Sequence, residues 1–444
     1  MRISARVATL AALAAWIVAS MPSITAAAIG GHEPAAAAVG VRRSAVGLRL
    51  SPWAPGRTPK SDRPTPKEGA HQPCSSSRQP HPQKTSVHKR PSRPRGCDTP
   101  LKARHTRGVV RRRPSPSPVN VYAATKAGTL RPSVAHLPLR VYVPNSGDGT
   151  IDVINPATFR VVKRFRVGQI PHHVTPSWNL KRLYVDDEGS SSLTVIDPHK
   201  GRPIGTIRVP FPYNLYFTPD GRKAVVAVER LDRLDFRDPR TWRLLKSVEI
   251  PWPGVDHMDF SADGRYLLAS TEFGGVVVKV DTVKMKLTGH VNVGGLPIDV
   301  RLAPGGSVFY VANQGRDGVS IIDPVAMKEI GFLPTGAGAH GLAVSRDTKS
   351  LYVSNRVAGT ISVISFKTRR VMATWPVGGN PDMLQVSPDG RQLWVSNRFD
   401  GTVSVVDTRT GRVLHTIAVG LSPHGLSYFP NAGRISLGHN GVYR

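Results

Sequence analysis

Histidine and aspartate side chains return at one place in a repeat of about 42 residues. When the repeats are aligned, two adjacent positions stand out. Position one holds His172, Tyr213, Asp256, Ile298, His340, Asp382 and His424. Position two holds His173, Asn214, His257, Asp299, Gly341, Met383 and Gly425. Imidazole and carboxylate groups bind metals and exchange protons, so this part of the repeat is the candidate for chemistry.

Several interpretations of these residues are open. A ligand site would use His172, His173, Tyr213, Asn214, Asp256, His257, Asp299, His340, Asp382 and His424. A zinc or copper ion would be held by His173, His257 and Asp299, although a bound metal is not favoured. The simplest interpretation is structural, because polar side chains at the start of a strand can bond backbone groups in the preceding turn. We assign no catalytic residue.

An apolar triplet marks the strand that follows these positions. It begins at Val141, Leu183, Ala224, Leu267, Phe309, Leu351 and Leu393, with spacings of 42, 41, 43, 42, 42 and 42 residues. A turn signal such as Pro388 to Gly390 precedes all but the first triplet, and an alternating strand such as Gly359 to Ile364 follows. Four short strands in about 42 residues match one propeller blade. We therefore predict an all-β, seven-bladed propeller over residues 119–444, with blades from about residue 139.

Alternation along the innermost strand of each repeat predicts which side chains face the central channel. Positions three and five are mainly apolar and should pack between blades. Positions two and four should face the channel, and position one should rim its mouth. Position four places Asp259 and Arg301 in neighbouring repeats, where we expect an ion pair. The first repeat lacks an innermost strand, so we predict that His424 to Phe429 completes the first blade.

The repeat resembles the YVTN-repeat β-propeller family, which includes YncE-like proteins. The resemblance is carried by Leu351 to Ile364, which read Tyr-Val-x-Asn and then Gly-Thr-Ile-Ser-Val-Ile, and by the Ser-Pro-Asp-Gly turn at Ser387 to Gly390. It covers residues 139 to about 430, and the third repeat departs most, at Glu229 to Leu234. The resemblance implies the propeller fold. It leaves the activity open, because such folds host unrelated functions.

The N-terminal quarter of the chain predicts export. Residues 1–28 have the layout of a signal peptide, in which Arg2 and Arg6 precede an apolar run and Ala26 to Ala28 offer a cleavage site. Residues 29–118 form a basic linker rich in proline and serine, which we expect to be disordered because it has little apolar surface to bury. Cys74 and Cys97 either pair there or stay free. We expect a secreted or cell-surface protein without a transmembrane segment after cleavage; the alternative is an uncleaved N-terminal anchor.

The charge of the chain is concentrated in this linker region. Residues 29–138 carry 21 Lys+Arg and 4 Asp+Glu, a net +17 of the +30 total. Two interpretations of such a segment are open: it adheres to anionic cell-surface polymers or lipid head groups, or it is a solvated spacer. Trp53 is the single aromatic residue between 41 and 118, which argues against nucleic acid as a partner, because base stacking needs aromatic rings.

These patterns favour an exported, monomeric binding or surface-interaction protein whose unknown small-molecule or protein partner meets the propeller face. The first alternative is an enzyme at the same mouth, either a metal-dependent oxidoreductase or a lactonase-like hydrolase. The second is a charge-driven binder of nucleic acid or anionic polymer. The sequence contains no Gly-x-Ser-x-Gly motif, which argues against a serine hydrolase. The repeat does not predict where residues 119–138 and 434–444 lie in the fold.

Overall fold

Seven four-stranded antiparallel sheets make up the fold, as the repeat predicts. The structure is a computed structural model that describes residues 120–444. The predicted signal peptide (1–28) and linker (29–118) lie outside the described residues. Within residues 120–444 the helices are five 3-10 turns of three residues each, namely η1 (Ala123–Thr125), η2 (Glu188–Ser190), η3 (Glu229–Leu231), η4 (Glu272–Gly274) and η5 (Gln314–Arg316).

The strands follow one another blade by blade, from the channel outward. Blade 1 begins with its second strand and contains β1 (Arg140–Asn145), β2 (Thr150–Asn155) and β3 (Arg160–Arg166). Blade 2 contains β4 (Pro171–Pro176), β5 (Leu183–Asp187), β6 (Ser192–Asp197) and β7 (Arg202–Arg208). Blade 3 contains β8 (Asn214–Phe217), β9 (Ala224–Val228), β10 (Arg233–Arg237) and β11 (Leu244–Glu249).

The remaining blades repeat this order. Blade 4 contains β12 (Val255–Phe260), β13 (Tyr266–Thr271), β14 (Val276–Asp281) and β15 (Lys286–Asn292). Blade 5 contains β16 (Pro297–Leu302), β17 (Phe309–Asn313), β18 (Gly318–Asp323) and β19 (Lys328–Pro334). Blade 6 contains β20 (Ala339–Val344), β21 (Ser350–Asn355), β22 (Thr360–Ser365) and β23 (Arg370–Pro376). Blade 7 contains β24 (Pro381–Val386), β25 (Gln392–Asn397), β26 (Thr402–Asp407) and β27 (Val413–Ala418).

The last strand, β28 (Ser427–Phe429), closes the ring by completing blade 1. It pairs antiparallel with β1, with Tyr428 opposite Val141. The backbone N–H of His424 donates to the carbonyl of Pro144 at 3.1 Å and extends this contact. The two ends of the propeller are thus joined in one sheet, and the predicted closure is confirmed.

Apolar side chains pack between neighbouring blades. One cluster joins Tyr184 and Leu193 of blade 2 to Leu215 and Phe217 of blade 3. Position three of the innermost strand is buried in every blade, at Val174, Leu215, Met258, Val300, Leu342, Leu384 and Leu426. Each such side chain contributes about 1.5–3 kcal/mol when it leaves water. The predicted packing of position three is therefore confirmed.

The C-terminal segment 430–444, which we call the plug, lies in the central channel. The backbone N–H of His439 donates to the carbonyl of Leu215 in β8 at 2.7 Å. On another side, the amide of Gln385 in β24 donates to the carbonyl of Asn440 at 2.6 Å. Contacts with the inner strands of different blades place the plug between them. The repeat pattern does not predict this segment, because the plug is not part of a repeat.

Arg444 at the end of the plug changes the predicted charge pairing in the channel. Its Nη2 atom lies 2.8 Å from Oδ1 of Asp259, and both side chains are buried. Arg301 pairs instead with Asp299 of its own strand, at 2.8 Å. The predicted Asp259–Arg301 ion pair is therefore wrong. Asp299 and Arg301 lie two residues apart on one face of β16, and the plug supplies a new cation for Asp259.

Residues 120–139 cover the end of the channel at which the innermost strands finish. The N–H of Val121 donates to the carbonyl of Pro304 at 3.0 Å, and the carbonyl of Thr129 accepts from Gly433 of the plug at 3.1 Å. We call this the closed end, and the opposite end, where positions one and two lie, the mouth. No helix within residues 120–444 is long and apolar enough to cross a membrane.

Candidate functional site

In five of the seven blades, a β-bulge at the start of the innermost strand positions the predicted residues. In β4 the pairing with β5 shifts between Pro171 and Val174, so that His172 and His173 lie opposite Asp186 alone. The same shift occurs in β12, β16, β20 and β24. A bulge interrupts the alternation of side chains and often re-aims them at a functional site. Consecutive residues can therefore both turn toward the channel.

The ten predicted site residues are all buried at the mouth end of the channel, with exposed fractions of 7% or less: His172, His173, Tyr213, Asn214, Asp256, His257, Asp299, His340, Asp382 and His424. The rings of His172 and His173 lie 5.1 and 4.6 Å from the ring of His424. The expectation that position one only rims the mouth is therefore corrected. Position one lies within the same packed group as position two, and in blades 2 and 4 to 7 the bulge turns both positions inward.

The deeper part of this group is a cluster of three imidazoles, His173, His257 and His439, which we call the lower cluster. One ring nitrogen from each lies within 4.8 Å of the others. The three belong to β4, β12 and the plug, and the ring centroids are 4.7 to 5.4 Å apart. Sequence reasoning missed His439, because its approach depends on where the plug lies. Its only sequence signal is the Gly438 to Gly441 turn, whose flanking glycines have φ of 101° and 104°.

Asp299 does not join the lower cluster, which corrects one residue of the predicted metal set. Its carboxylate is held by Arg301 and accepts the N–H groups of Val300 at 2.8 Å and Leu342 at 2.9 Å. These bonds use both carboxylate oxygens. His439 lies where a third ligand beside His173 and His257 would be needed.

Neighbouring polar groups orient the lower cluster. Nδ1 of His173 lies 3.0 Å from Oδ1 of Asn440, and Nδ1 of His439 lies 2.9 Å from Nδ2 of Asn214. Nδ1 of His257 lies 3.4 Å from Oδ2 of Asp256. Among the described residues, Nε2 of His173 and both ring nitrogens of His257 have no hydrogen-bond partner. Each unpaired buried polar atom costs about 1–3 kcal/mol, so such atoms call for a missing partner.

Nearer the mouth lies a second group, the upper cluster, formed by His340, Asp382 and His424. Nδ1 of His340 lies 3.3 Å from Oδ1 of Asp382, and Nε2 of His424 lies 3.6 Å from Oδ2. Arg356 donates to the Asp382 carboxylate and contacts His340, and Arg398 lies 3.8 Å from the same carboxylate. The upper cluster is therefore a carboxylate with two imidazoles and two guanidinium groups around it.

Burial keeps the histidines of both clusters neutral. It lowers the pKa of His257 to about 4, and it lowers the pKa values of His173, His340, His424 and His439 well below the usual value. Positive charge on neighbouring arginines or histidines adds to this effect at His173, His340, His424 and His439. Neutral imidazole is the form that binds metals and accepts hydrogen bonds.

The direction of the hydrogen bonds leaves one donor missing in the upper cluster. The Glu188 carboxylate accepts from Nε2 of His172 at 3.1 Å, so Nδ1 of a neutral His172 accepts from Nδ1 of His424 at 2.9 Å. Nε2 of His424 then carries a lone pair, and it faces Oδ2 of Asp382, another acceptor. Neither atom has a hydrogen-bond partner among residues 120–444. A proton, water or ligand donor between them would satisfy both.

A ring of mostly charged side chains surrounds the mouth, which sequence reasoning missed. It consists of the residue directly after the second strand of each blade: Ser146, Glu188, Glu229, Glu272, Gln314, Arg356 and Arg398. Acidic residues occupy blades 2 to 4, and arginines occupy blades 6 and 7. The two charges thus lie on opposite sides of a seven-membered ring. The 42-residue alignment contains this signal, since the ring is another column of the same repeat.

The three glutamates of the ring differ in the direction of their pKa shifts. Burial would raise the pKa of Glu188, but hydrogen bonds from His172 and Arg230 outweigh it and lower the pKa to about 2. Burial and the negative charge of Asp256 raise the pKa of Glu229 to about 9 and that of Glu272 to about 7. Glu188 is thus already paired, whereas Glu229 and Glu272 gain from the approach of a cation.

The fold and repeat define a seven-bladed propeller with a polar, plugged channel, and the comparison with known families identifies its class. The sequence model of the family described as YNCE-like beta-propeller matches residues 118–434. The chain belongs to this family. None of the curated proteins matches the sequence.

Solved structures agree on the fold. A putative 6-phosphogluconolactonase from Bacteroides fragilis NCTC 9343 is 20% identical, with a TM-score of 0.56 over 67% of this chain and 99% of that chain. A functionally unknown protein from Desulfotomaculum acetoxidans DSM 771 is 15% identical, with a TM-score of 0.58 over 65% and 98%. Dihydro-heme d1 dehydrogenase NirN is 17% identical, with a TM-score of 0.53 over 68% and 78%. At this identity the likeness concerns the fold alone.

Proposed function

We propose that this propeller is a binding protein that holds a small polar ligand at its mouth. The observation that carries the proposal is the missing donor between Nε2 of His424 and Oδ2 of Asp382, which lie 3.6 Å apart. Buried polar atoms in proteins are almost always hydrogen-bonded, so two facing acceptors favour a ligand or water that brings N–H or O–H groups.

The charge ring narrows the class of ligand. Glu229 and Glu272 on one side are suited to a cationic group. Arg398 on the opposite side makes only a long contact of 3.8 Å with Asp382 and is suited to a carboxylate or phosphate. All three are partly exposed, so a molecule in solution can reach them. A zwitterionic small molecule, with an ammonium at one end and an anionic group at the other, matches both halves. A molecule with a single charge matches only one half of the ring.

Calorimetric titration with three small probes tests this proposal. L-alanine carries both charges, L-alaninamide only the positive one, and propionate only the negative one. We expect alanine to bind at least tenfold more tightly than either analogue. The Arg398→Gln variant should lose this preference, whereas Arg391→Gln should keep it, because Arg391 is exposed at the closed end of the same blade. Equal or absent binding of all three probes would support the purely structural interpretation of the mouth.

An enzyme at the same mouth is the second candidate. The proximity of Asp382 to Nδ1 of His340, at 3.3 Å, favours it, because a carboxylate beside an imidazole is a common general-base arrangement; Arg356 contacts the other ring nitrogen. Acid release from a simple δ-lactone, followed at constant pH, tests for hydrolysis. Activity that disappears in Asp382→Asn would favour the enzyme over the binding protein.

Export and surface retention are part of the same proposal. The signal-peptide pattern of residues 1–28 supports secretion, and the basic linker supports adhesion to anionic polymers of the cell surface. Cell fractionation, with detection of the full chain and of the chain lacking residues 1–28, tests this. Retention of both forms in the cytoplasm would contradict it.

A further inference from the structure

Three imidazoles converge beneath the proposed ligand site. His173 and His257 are fully buried, and His439 is 2% exposed. They come from β4, β12 and the plug, so that elements far apart in the sequence bring one ring nitrogen each to within 4.8 Å of the others. Histidines packed for structure alone would be expected to find hydrogen-bond partners, yet three of the six nitrogens have none among the described residues.

The surroundings of His173 and His257 match those of metal ligands, whereas both ring nitrogens of His439 face side-chain amide nitrogens, of Asn214 at 2.9 Å and of Asn440 at 3.2 Å. Metal-bound histidines usually direct their second nitrogen to a carboxylate or an amide carbonyl. Nδ1 of His173 faces Oδ1 of Asn440 at 3.0 Å, which leaves Nε2 with its lone pair toward the cluster. Nδ1 of His257 lies 3.4 Å from Oδ2 of Asp256 without a hydrogen bond to it, and Nε2 of His257 has no partner among the described residues.

We propose that His173, His257 and His439 bind one divalent late transition-metal ion. Imidazole suits zinc, copper and nickel, and three histidines leave a further coordination position for water or a ligand. Tetrahedral zinc places its nitrogen ligands about 3.3 Å apart, so the nitrogens would close in by at most about 1.5 Å. The centre lies directly below the upper cluster, because the rings of His173 and His424 are 4.6 Å apart.

The proposal gives the plug a role. His439 is the only ligand from residues 430–444, so a bound ion would tie the plug to blades 2 and 4. Metal binding should therefore raise the melting temperature, since a ligand that binds only the folded state stabilises it. The effect should be absent when His439 is replaced.

The experiment uses the untagged full chain after removal of metals with a chelator. Isothermal titration with Zn²⁺, and separately Ni²⁺ and Cu²⁺, measures affinity, and Co²⁺ absorption reports the coordination geometry. We expect one high-affinity site and at least a hundredfold loss of affinity in both His439→Ala and His257→Ala. The exposed His290→Ala is the matched control and should bind like the parent. The linker region holds further histidines and both cysteines, but it is unchanged in all variants.

Two results would overturn the proposal. One is the absence of a site that His439→Ala and His257→Ala both weaken, while circular dichroism shows that both variants are folded. The other is Co²⁺ absorption that is identical in parent and His257→Ala protein. The outcome is separate from that of the proposed ligand site, because the metal titration uses no small molecule and Arg398→Gln should leave it unchanged.

Discussion

Glu188 at the mouth offers the sharpest test of the electrostatic reasoning. Its side chain is 5% exposed, accepts from Nε2 of His172, and is held by Arg230 at 2.8 and 3.0 Å. These bonds lower its pKa from 4.5 to about 2. An acid whose pKa is lower in the folded than in the unfolded state stabilises the protein above the unfolded value. That stability is lost as the pH falls from about 4.5 toward 2.

The size of the effect follows from this pKa shift. One pKa unit corresponds to about 1.4 kcal/mol, so the full shift would contribute about 3 kcal/mol at neutral pH. Arg230 is 48% exposed, and solvent screens its part. We therefore expect Glu188→Gln to lower the free energy of unfolding by about 2 kcal/mol at pH 7. The difference from the parent should shrink steadily below pH 4.5.

Urea denaturation between pH 3 and pH 7 measures this difference. Glu329→Gln is the matched control, because Glu329 also pairs with an arginine, Arg316, but in a partly exposed outer strand. Exposed ion pairs contribute about 0–1 kcal/mol, so the control should change little. If both variants lose the same stability, or if the Glu188→Gln difference does not depend on pH, the account of the mouth electrostatics is wrong.

Three further predictions concern other parts of the molecule. Burial raises the pKa of Glu229 to about 9, so ionisation of Glu229 destabilises the folded protein as the pH rises from 4.5 to 9. In thermal melts, the Glu229→Gln variant should therefore be about 1–2 kcal/mol more stable than the parent at pH 9 and equally stable at pH 4. Arg444→Ala leaves Asp259 buried without its cation and should cost about 3 kcal/mol in urea denaturation, whereas the exposed Arg434→Ala should cost little. Deletion of residues 41–118 should leave cooperative melting intact but remove salt-sensitive binding to heparin, and loss of the melting transition would contradict the predicted dispensability of the linker.

Much of the fold could be predicted from the sequence because its determinants are local and repeated. The triplets that begin at Leu351 and Leu393 mark strands, and their constant spacing counts the blades. Alternation at Leu342 and Leu384 identifies the packed face, since successive strand residues point to opposite sides. Even the closure by β28 follows from counting strands at the two ends of the chain. The charge ring, which includes Glu229 and Arg398, could also have been predicted from the aligned repeats, because its members occupy one position of the repeat.

The tertiary structure alone decided the composition of the candidate site. His439 lies 266 positions after His173, outside every repeat, and it reaches the lower cluster only because the plug fits the inner edge of β8. Arg444 forms an ion pair with Asp259 because it also belongs to the plug. Asp299 forms its ion pair with Arg301 of its own strand and so does not join the lower cluster. A bulge then turned position one inward against simple alternation. Periodicity specifies which face a side chain occupies, whereas its partners depend on segments and bulges that no repeat encodes.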